Sequence, residues 1–270
     1  MPSIPWATLW RSSRRSFPEA SFLSQLPFRF RAAHAIQREV TRLAAIFWVV
    51  PIAFIMRVLM RYHIKDVAQV RTRYRALVKE RKHPLLICPN HLTMMDSAVI
   101  AWALGGSWWY VFHYSRMPWN LPEYNNFASQ WPTRIGAWIT KCIPVIRGGR
   151  REDVSRVIKR VQHLLARGET ALIFPEAGRS RSGRVEADSV AHAVGRILTS
   201  VPGCQPLCVY LRGDRQRTWS TIPARGDSFY IEFEVVEPQS DHSGMRRSRD
   251  FSQQIIDRLV GMEKKYFAGR

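Results

Sequence analysis

Three short apolar runs, Leu85-Leu86-Ile87-Cys88, Ile143-Pro144-Val145-Ile146 and Ala171-Leu172-Ile173-Phe174, each end at a polar or glycine-bearing turn. Four residues are too few for a stable helix. A run that is apolar throughout reads as a strand buried on both faces, the pattern of an α/β sheet. In open sheets of that kind, ligand contacts lie just past the carboxyl ends of the strands. Here those positions carry Asn90-His91, Arg147-Gly148-Gly149 and Glu176 with Arg179 and Arg181. Between the second and third runs, Glu152-Asp153 open a helix with Val154, Val157, Ile158, Val161, Leu164 and Leu165 at helical spacing, and Gly168 closes it. Phe229 to Val236 alternates as a half-exposed strand, Asp241 to Asp250 reads as a polar linker, and Phe251, Ile255, Leu259 and Met262 mark a last helix. The run Trp108-Trp109-Tyr110-Val111-Phe112 is expected as a buried strand, with lining of an apolar tunnel as the other reading. No internal repeat is visible.

His91 and Asp96 have four residues between them. A histidine can take the proton of an attacking hydroxyl while a carboxylate on its other ring nitrogen fixes the tautomer. On one continuous helix the two side chains would lie ~140° apart and would not meet. They meet if Leu85–Cys88 is a strand, Pro89-Asn90-His91 a turn, and Thr93 opens a helix with Asp96 in its first turn. His91 would then sit beside free helix amides able to hold an oxyanion. The spacing alone is weak evidence, since eight His and nine Asp in 270 residues supply it by chance in about one chain of four. Arginines at two further strand ends, Arg147 and Arg179, strengthen the reading, because the guanidinium fork suits phosphate. Gly178-Arg179-Ser180-Arg181 falls one residue short of a serine-hydrolase elbow, since its closing glycine comes at 183. Direct attack in a ternary complex, without a covalent enzyme intermediate, is therefore preferred over Ser180 as nucleophile.

Asn90-His91 with Asp96, Ile146-Arg147, Phe174-Pro175-Glu176 with Arg179-Ser180, and Gln205-Pro206-Leu207-Cys208-Val209 resemble the four ordered blocks of the glycerolipid acyltransferases, the family of 1-acylglycerol-3-phosphate acyltransferase. The resemblance spans roughly residues 80 to 215. It implies transfer of a fatty acyl group from acyl-CoA or acyl carrier protein to a glycerol hydroxyl, with lysophosphatidic acid as acceptor, in phospholipid synthesis. It further implies His91 as base, Asp96 as its partner, Arg147 and Arg179 as phosphate ligands, and Glu176 and Gly178 as shapers of that pocket. The third block has Ala177-Gly178 where the family carries Gly-Thr. Its continuation is similar to the glycerol-3-phosphate branch, so glycerol-3-phosphate or another polar lipid remains the alternative acceptor.

The net charge of +20 calls for an anionic partner. Residues 1–56 carry seven Arg against Glu19 and Glu39; residues 57–82 carry nine basic residues against Asp66 and Glu80, so +12 of the +20 surrounds one apolar stretch, Leu43 to Met56. That stretch is interrupted by Pro51 and is shorter than the ~20 residues of a bilayer span. Both flanks are basic, which favours an anchor on one anionic leaflet, each Lys or Arg contributing ~1 kcal/mol. A basic membrane or nucleic-acid binding protein is the rival outside enzymes, but nucleic acid leaves the strand-end residues unexplained and is not expected as a partner. The expected location is the cytoplasmic face of a bacterial inner membrane. The Arg-rich, acid-poor stretch from Arg11 to Arg42 leaves an organellar membrane as the alternative. Cys88, Cys142, Cys204 and Cys208 lack metal-site spacing, so reduced thiols and no metal are expected, and no cofactor beyond the acyl-CoA or acyl carrier protein co-substrate. The expected organisation is a basic arm (1–42), an apolar membrane-associating segment (43–60), an acyltransferase core (61–238) and a linker with a C-terminal helix (239–270). As a fold, this is a single α/β domain with a mixed central sheet flanked by helices, preceded by an N-terminal membrane-associating helical segment.

Overall fold

A computed structural model describes residues 26–269 except 82, 128–129, 147–148, 177 and 189. In chain order its main elements are α1 (Phe28–Leu43), α2 (Ala45–Phe54) with a π-helical turn (Ile55–Leu59), β1 (His63–Ile64), α3 (Val67–Glu80), β2 (Leu85–Pro89), α4 (Asp96–Leu104) and α5 (Ser107–Phe112). There follow β3 (Trp119–Asn120), α6 (Trp131–Ile139), α7 (Arg151–Ala166), β4 (Thr170–Leu172), α8 (His192–Ser200), β5 (Gln205–Gly213), β6 (Ser228–Val235) and α9 (Gly244–Ala268).

The strands form a mixed six-stranded sheet in the order β1-β6-β5-β2-β4-β3. The β5–β6 pair is antiparallel and the other pairs are parallel. Strand alternation divides the core in two. Leu86, Cys88, Ala171, Cys208 and Tyr210 face α7, α8 and α9, while Leu85, Ile87, Leu172, Leu207 and Val209 face α3 and α4. Both faces are covered, which is why β2 can be apolar at every position. The expected α/β domain with a mixed sheet is therefore observed.

Several elements depart from expectation. Ile143–Ile146 is not a sheet strand; Cys142 and Val145 make only isolated bridges to Asn120 and Glu123. Pro144 has no N–H to donate and cannot continue a ladder. Trp108–Phe112 lies in the helix α5, with Tyr110 buried and Trp108 and Phe112 exposed. Gly106, at φ 78°, turns the chain out of α4 and into it. α9 begins at Gly244, so most of the stretch expected as linker is helical. Pro51 lies inside α2, and the chain instead bends at Ala44 by 62°.

α1 carries its polar residues inward. His34, Gln37 and Thr41 are buried, while Ile36, Val40 and Leu43 are exposed. Gln37 Nε2 donates to the Trp138 carbonyl at 2.8 Å and Arg160 Nε donates to His34 Nε2 at 2.9 Å. Buried Glu169 accepts from Lys141 Nζ at 3.0 Å, from Trp119 Nε1 at 3.1 Å and from Arg38 of α1 at 3.5 Å. A charge buried that deeply needs such partners. Among the described residues no single helix is long and apolar enough to cross a membrane; α1 with the segment Ala45–Leu59 passes that test only as a bent pair.

The helical layer behind the sheet depends on close approach. Gly195 of α8 donates its N–H to Ser252 Oγ at 2.9 Å, and a Cβ there would strike the Ser248 carbonyl of α9. Gly195→Ala should therefore cost about 1–3 kcal/mol through overpacking and lower the melting temperature by several degrees. Gly261→Ala, where a Cβ meets nothing within 4 Å, should leave it unchanged or raise it slightly. Equal melting temperatures for Gly195→Ala and wild type in a thermal denaturation scan would contradict this packing.

Candidate active site

The register of the parallel β2–β4 pair, with Ile87 opposite Leu172, brings the two strand ends side by side. Residues 90–96 and 173–180 therefore leave the sheet together. Asn90 sets the exit. Its Nδ2 donates to the Leu211 carbonyl at 3.1 Å and its Oδ1 accepts from the Leu211 N–H at 2.7 Å, so the side chain imitates one more rung of pairing to β5. With Asn90 fixed, the direction of His91 follows.

Asp96 is the first residue of α4 and folds back over the turn. Its Oδ2 lies 3.1 Å from His91 Nδ1 and accepts the Leu92 and Thr93 amides at 2.6 and 2.7 Å; its Oδ1 accepts from Thr93 Oγ1 at 2.6 Å. The helix thus starts three residues later than expected, with Asp96 still in its first turn. A carboxylate on Nδ1 holds the imidazole with Nε2 presented to the adjoining cavity. The amides of residues 91–95 are not open to an oxyanion. The amides of His91, Leu92, Thr93, Met94 and Met95 are taken by Glu176, Asp96 twice, the Thr221 carbonyl and Thr93 Oγ1.

The third sequence block grips His91 from the other side. Glu176 Oε1 accepts the His91 N–H at 2.8 Å, and the Ser180 N–H donates to the His91 carbonyl at 3.0 Å. Phe174 stacks on the imidazole with centroids 3.8 Å apart and planes 19° from parallel. Glu176 is buried, and burial is the main reason its carboxyl is pushed up from 4.5 to about 8. The amides of His91 and Glu186 oppose that rise, and the charges of Glu186 and Asp96 add to it. Its Oε2 is buried without a partner, which suits a neutral acid better than a carboxylate. Glu176 holds the His91 backbone and is not among the residues lining the cavity.

The cavity beside His91 holds about 640 Å³. Its walls include Trp48, Ile52 and Ala53 of α2, Ala98 and Ala101 of α4, Tyr110 of α5, and Gly178, Arg179 and Arg181. Arg179 packs over the Trp219 ring at 5.0 Å and keeps Nη1 buried without a partner. The space thus joins an imidazole, an unsatisfied guanidinium and a long apolar wall. Ser180 is buried, its hydroxyl bonded to the backbone of Arg184, and it is not among the lining residues. Of the expected site residues, the fold brings together His91, Asp96, Glu176, Gly178 and Arg179; Arg147, Gly148 and Ala177 lie outside the described residues. Sequence reasoning missed Phe174 as a stacking partner, Asn90 as a positioning group and Trp219 as the platform under Arg179. Asn90 and Phe174 stood inside the quoted blocks without an assigned role; Trp219 carried no local signal.

The class of protein comes from the family comparison. Residues 60–202, more than half of the chain, match the family described as Acyltransferase, and the chain belongs to that family. The glycerolipid resemblance in the sequence blocks is borne out at that level. The crystal structure of the 1-acyl-sn-glycerophosphate (LPA) acyltransferase PlsC from Thermotoga maritima aligns over 85% of this chain and 97% of that one, at 15% identity and a TM-score of 0.44. None of the curated proteins compared matches the chain.

The raised Glu176 carboxyl has a measurable consequence. The unfolded carboxyl ionises near 4.5 and the folded one near 8, so folding takes up a proton between these values. Its contribution to stability is complete below pH 4.5 and is lost as pH rises through about 8. The slope is at most roughly 1.4 kcal/mol per pH unit. Glu176→Gln keeps an oxygen for the His91 amide but cannot titrate, so chemical denaturation from pH 5 to 8 should show a flatter stability profile for the variant. Identical slopes would place an ionised carboxylate at 176.

Proposed function

We propose that this chain transfers a fatty acyl group from a thioester, acyl-CoA or acyl carrier protein, to the free hydroxyl of lysophosphatidic acid at a membrane surface. The observation that carries the reading is the Asp96-held His91 facing a largely apolar cavity that also contains the unpaired Arg179. His91 Nε2 would take the acceptor hydroxyl proton as that oxygen attacks the thioester carbonyl. The C–S bond then breaks, and the imidazolium returns the proton to the leaving thiolate. Asp96 stabilises the imidazolium and holds its tautomer. Arg179, with Arg147 by resemblance, would bind the acceptor phosphate, and Gly178 leaves room at the cavity wall. The apolar wall suits an acyl chain. Oxyanion donors must come from outside residues 91–95.

Attachment to a membrane surface is supported by the outward apolar side of the first two helices, where Leu43 is 69% and Phe47 80% exposed. A helix that buries its polar side and exposes its apolar side gains by lying against lipid. The second reading, glycerol-3-phosphate as acceptor, is favoured by the run Gly178-Arg179-Ser180-Arg181-Ser182-Gly183.

Assays of the purified full chain with both donors against lysophosphatidic acid, glycerol-3-phosphate and phosphate-free lyso-lipids test the reading. Lysophosphatidic acid should be the best acceptor; preference for a phosphate-free lipid would reject it. His91→Ala should lower turnover by roughly 10²- to 10⁴-fold with little change in stability. Arg179→Lys should lower kcat/KM for a phosphate acceptor about tenfold while sparing the donor KM, because an ammonium cannot reproduce the guanidinium fork. Wild-type turnover in His91→Ala would remove the base.

A further inference from the structure

A second cavity, of about 540 Å³, adjoins the first. Ala53, Trp102, Gly106 and Ser107 line both. Its remaining wall brings Arg57 of the π-helical turn together with Arg71 and Arg75 of α3, and no carboxylate is among its lining residues. The three cations are close enough for Arg75 and Arg57 to add to the burial that holds the Arg71 guanidinium below its ordinary value.

Part of this arrangement is structural. Arg71 Nη2 donates to the Trp102 carbonyl at 3.0 Å and Arg75 Nη2 to the Gly105 carbonyl at 2.7 Å, where cations complement the carboxyl end of α4. That role uses one nitrogen of each side chain and none of Arg57. Arg71 Nε is buried without a partner, and none of the three has a carboxylate partner among the described residues. The backbone is also shaped to this guanidinium. Gly106 is at φ 78°, and a Cβ there would lie 3.1 Å from Arg71 Cζ. Arg75 is further held over the Trp109 ring at 5.6 Å. Arg71 and Arg75 are fixed on separate supports and Arg57 reaches the same cavity from the π-helical turn; three like charges on one cavity wall repel one another unless an anion joins them.

We propose that this cavity is a binding site for a phosphate group, with Arg57, Arg71 and Arg75 as its ligands. Guanidinium donors converging from two elements suit a tetrahedral oxyanion with several acceptor oxygens. Two sources share that chemistry. Phe54 and Val58, which flank Arg57 and also line the cavity, are 57% and 47% exposed, placing the site where a bilayer phospholipid headgroup would reach it. The phosphate of a soluble compound could enter the same space. The site stands apart from the acyl-transfer reading, since it shares no residue with the His91–Asp96 pair or with Arg179.

Full-length wild type, Arg57→Gln and Arg73→Gln distinguish the possibilities. Arg73 lies on α3 outside the cavity, pairs with Glu232 at 3.0 Å and provides an equal change of charge. Arg57 is exposed, so its replacement should leave the fold intact. Two arms are measured at constant ionic strength: calorimetric titration with inorganic phosphate, and sedimentation with phosphatidylcholine vesicles containing phosphatidic acid. Arg57→Gln should weaken binding about tenfold in at least one arm while Arg73→Gln stays at wild type. Loss confined to vesicles identifies a lipid headgroup, and loss in the phosphate arm identifies recognition of phosphate itself. Equal loss in both variants, or no loss in Arg57→Gln in either arm, overturns the proposal, because only diffuse charge would then be acting.

Discussion

The His91 peptide is held at both its polar groups by one loop, and the rest of the site depends on that hold. Glu176 accepts its N–H, Ser180 donates to its carbonyl, and Phe174 covers its ring. Asp96 then has only one freedom left to remove, rotation of the imidazole, and a bond to Nδ1 removes it. The physical cause lies in the sheet. Because β2 and β4 are parallel neighbours in a fixed register, the two loops leave side by side, and a shift of one residue would turn His91 away. A buried Glu176 that prefers its neutral form makes this arrangement tolerable, since a second carboxylate near Asp96 would otherwise repel it.

The same logic explains why the N-terminal helices belong to the site. α1 is fastened by its polar face through His34, Gln37 and Arg38, which leaves its apolar face outward and delivers α2 to the cavity wall. One side of the segment Ala45–Leu59 closes the space beside His91, and the other carries Arg57 into the second cavity. An apolar surface and one cation, Arg57, thus lie on the same segment, with Arg71 and Arg75 of α3 on the far wall of the second cavity.

Much of this was legible in the sequence where local pattern and tertiary demand agree. β2 is apolar because both its faces are buried, and α7 shows its period because one face is solvated. Legibility failed where a single residue or a distant contact decides. Pro144 denies Ile143–Ile146 a ladder, and the left-handed Gly106 starts a helix in an aromatic run that carries no period of its own. Asn90 reaches a partner 121 residues away, and Trp219 comes under Arg179 from the loop between β5 and β6. No window of local sequence contains either pairing. Charge was legible as a total around the apolar segment, yet the grouping of Arg57, Arg71 and Arg75 appears only when the fold sets the π-helical turn and α3 around one cavity.

The contact of Asp96 with Nδ1 requires the His91 imidazole to carry its proton on Nδ1 and its lone pair on Nε2. Long-range proton–nitrogen spectra of the full chain labelled at histidine, taken above the imidazole's titration and assigned with His91→Gln, read that tautomer directly. A protonated Nδ1 and an unprotonated Nε2 are predicted, with the preference lost in Asp96→Asn. A proton on Nε2 in the wild type, or a tautomer indifferent to Asp96, would contradict the account.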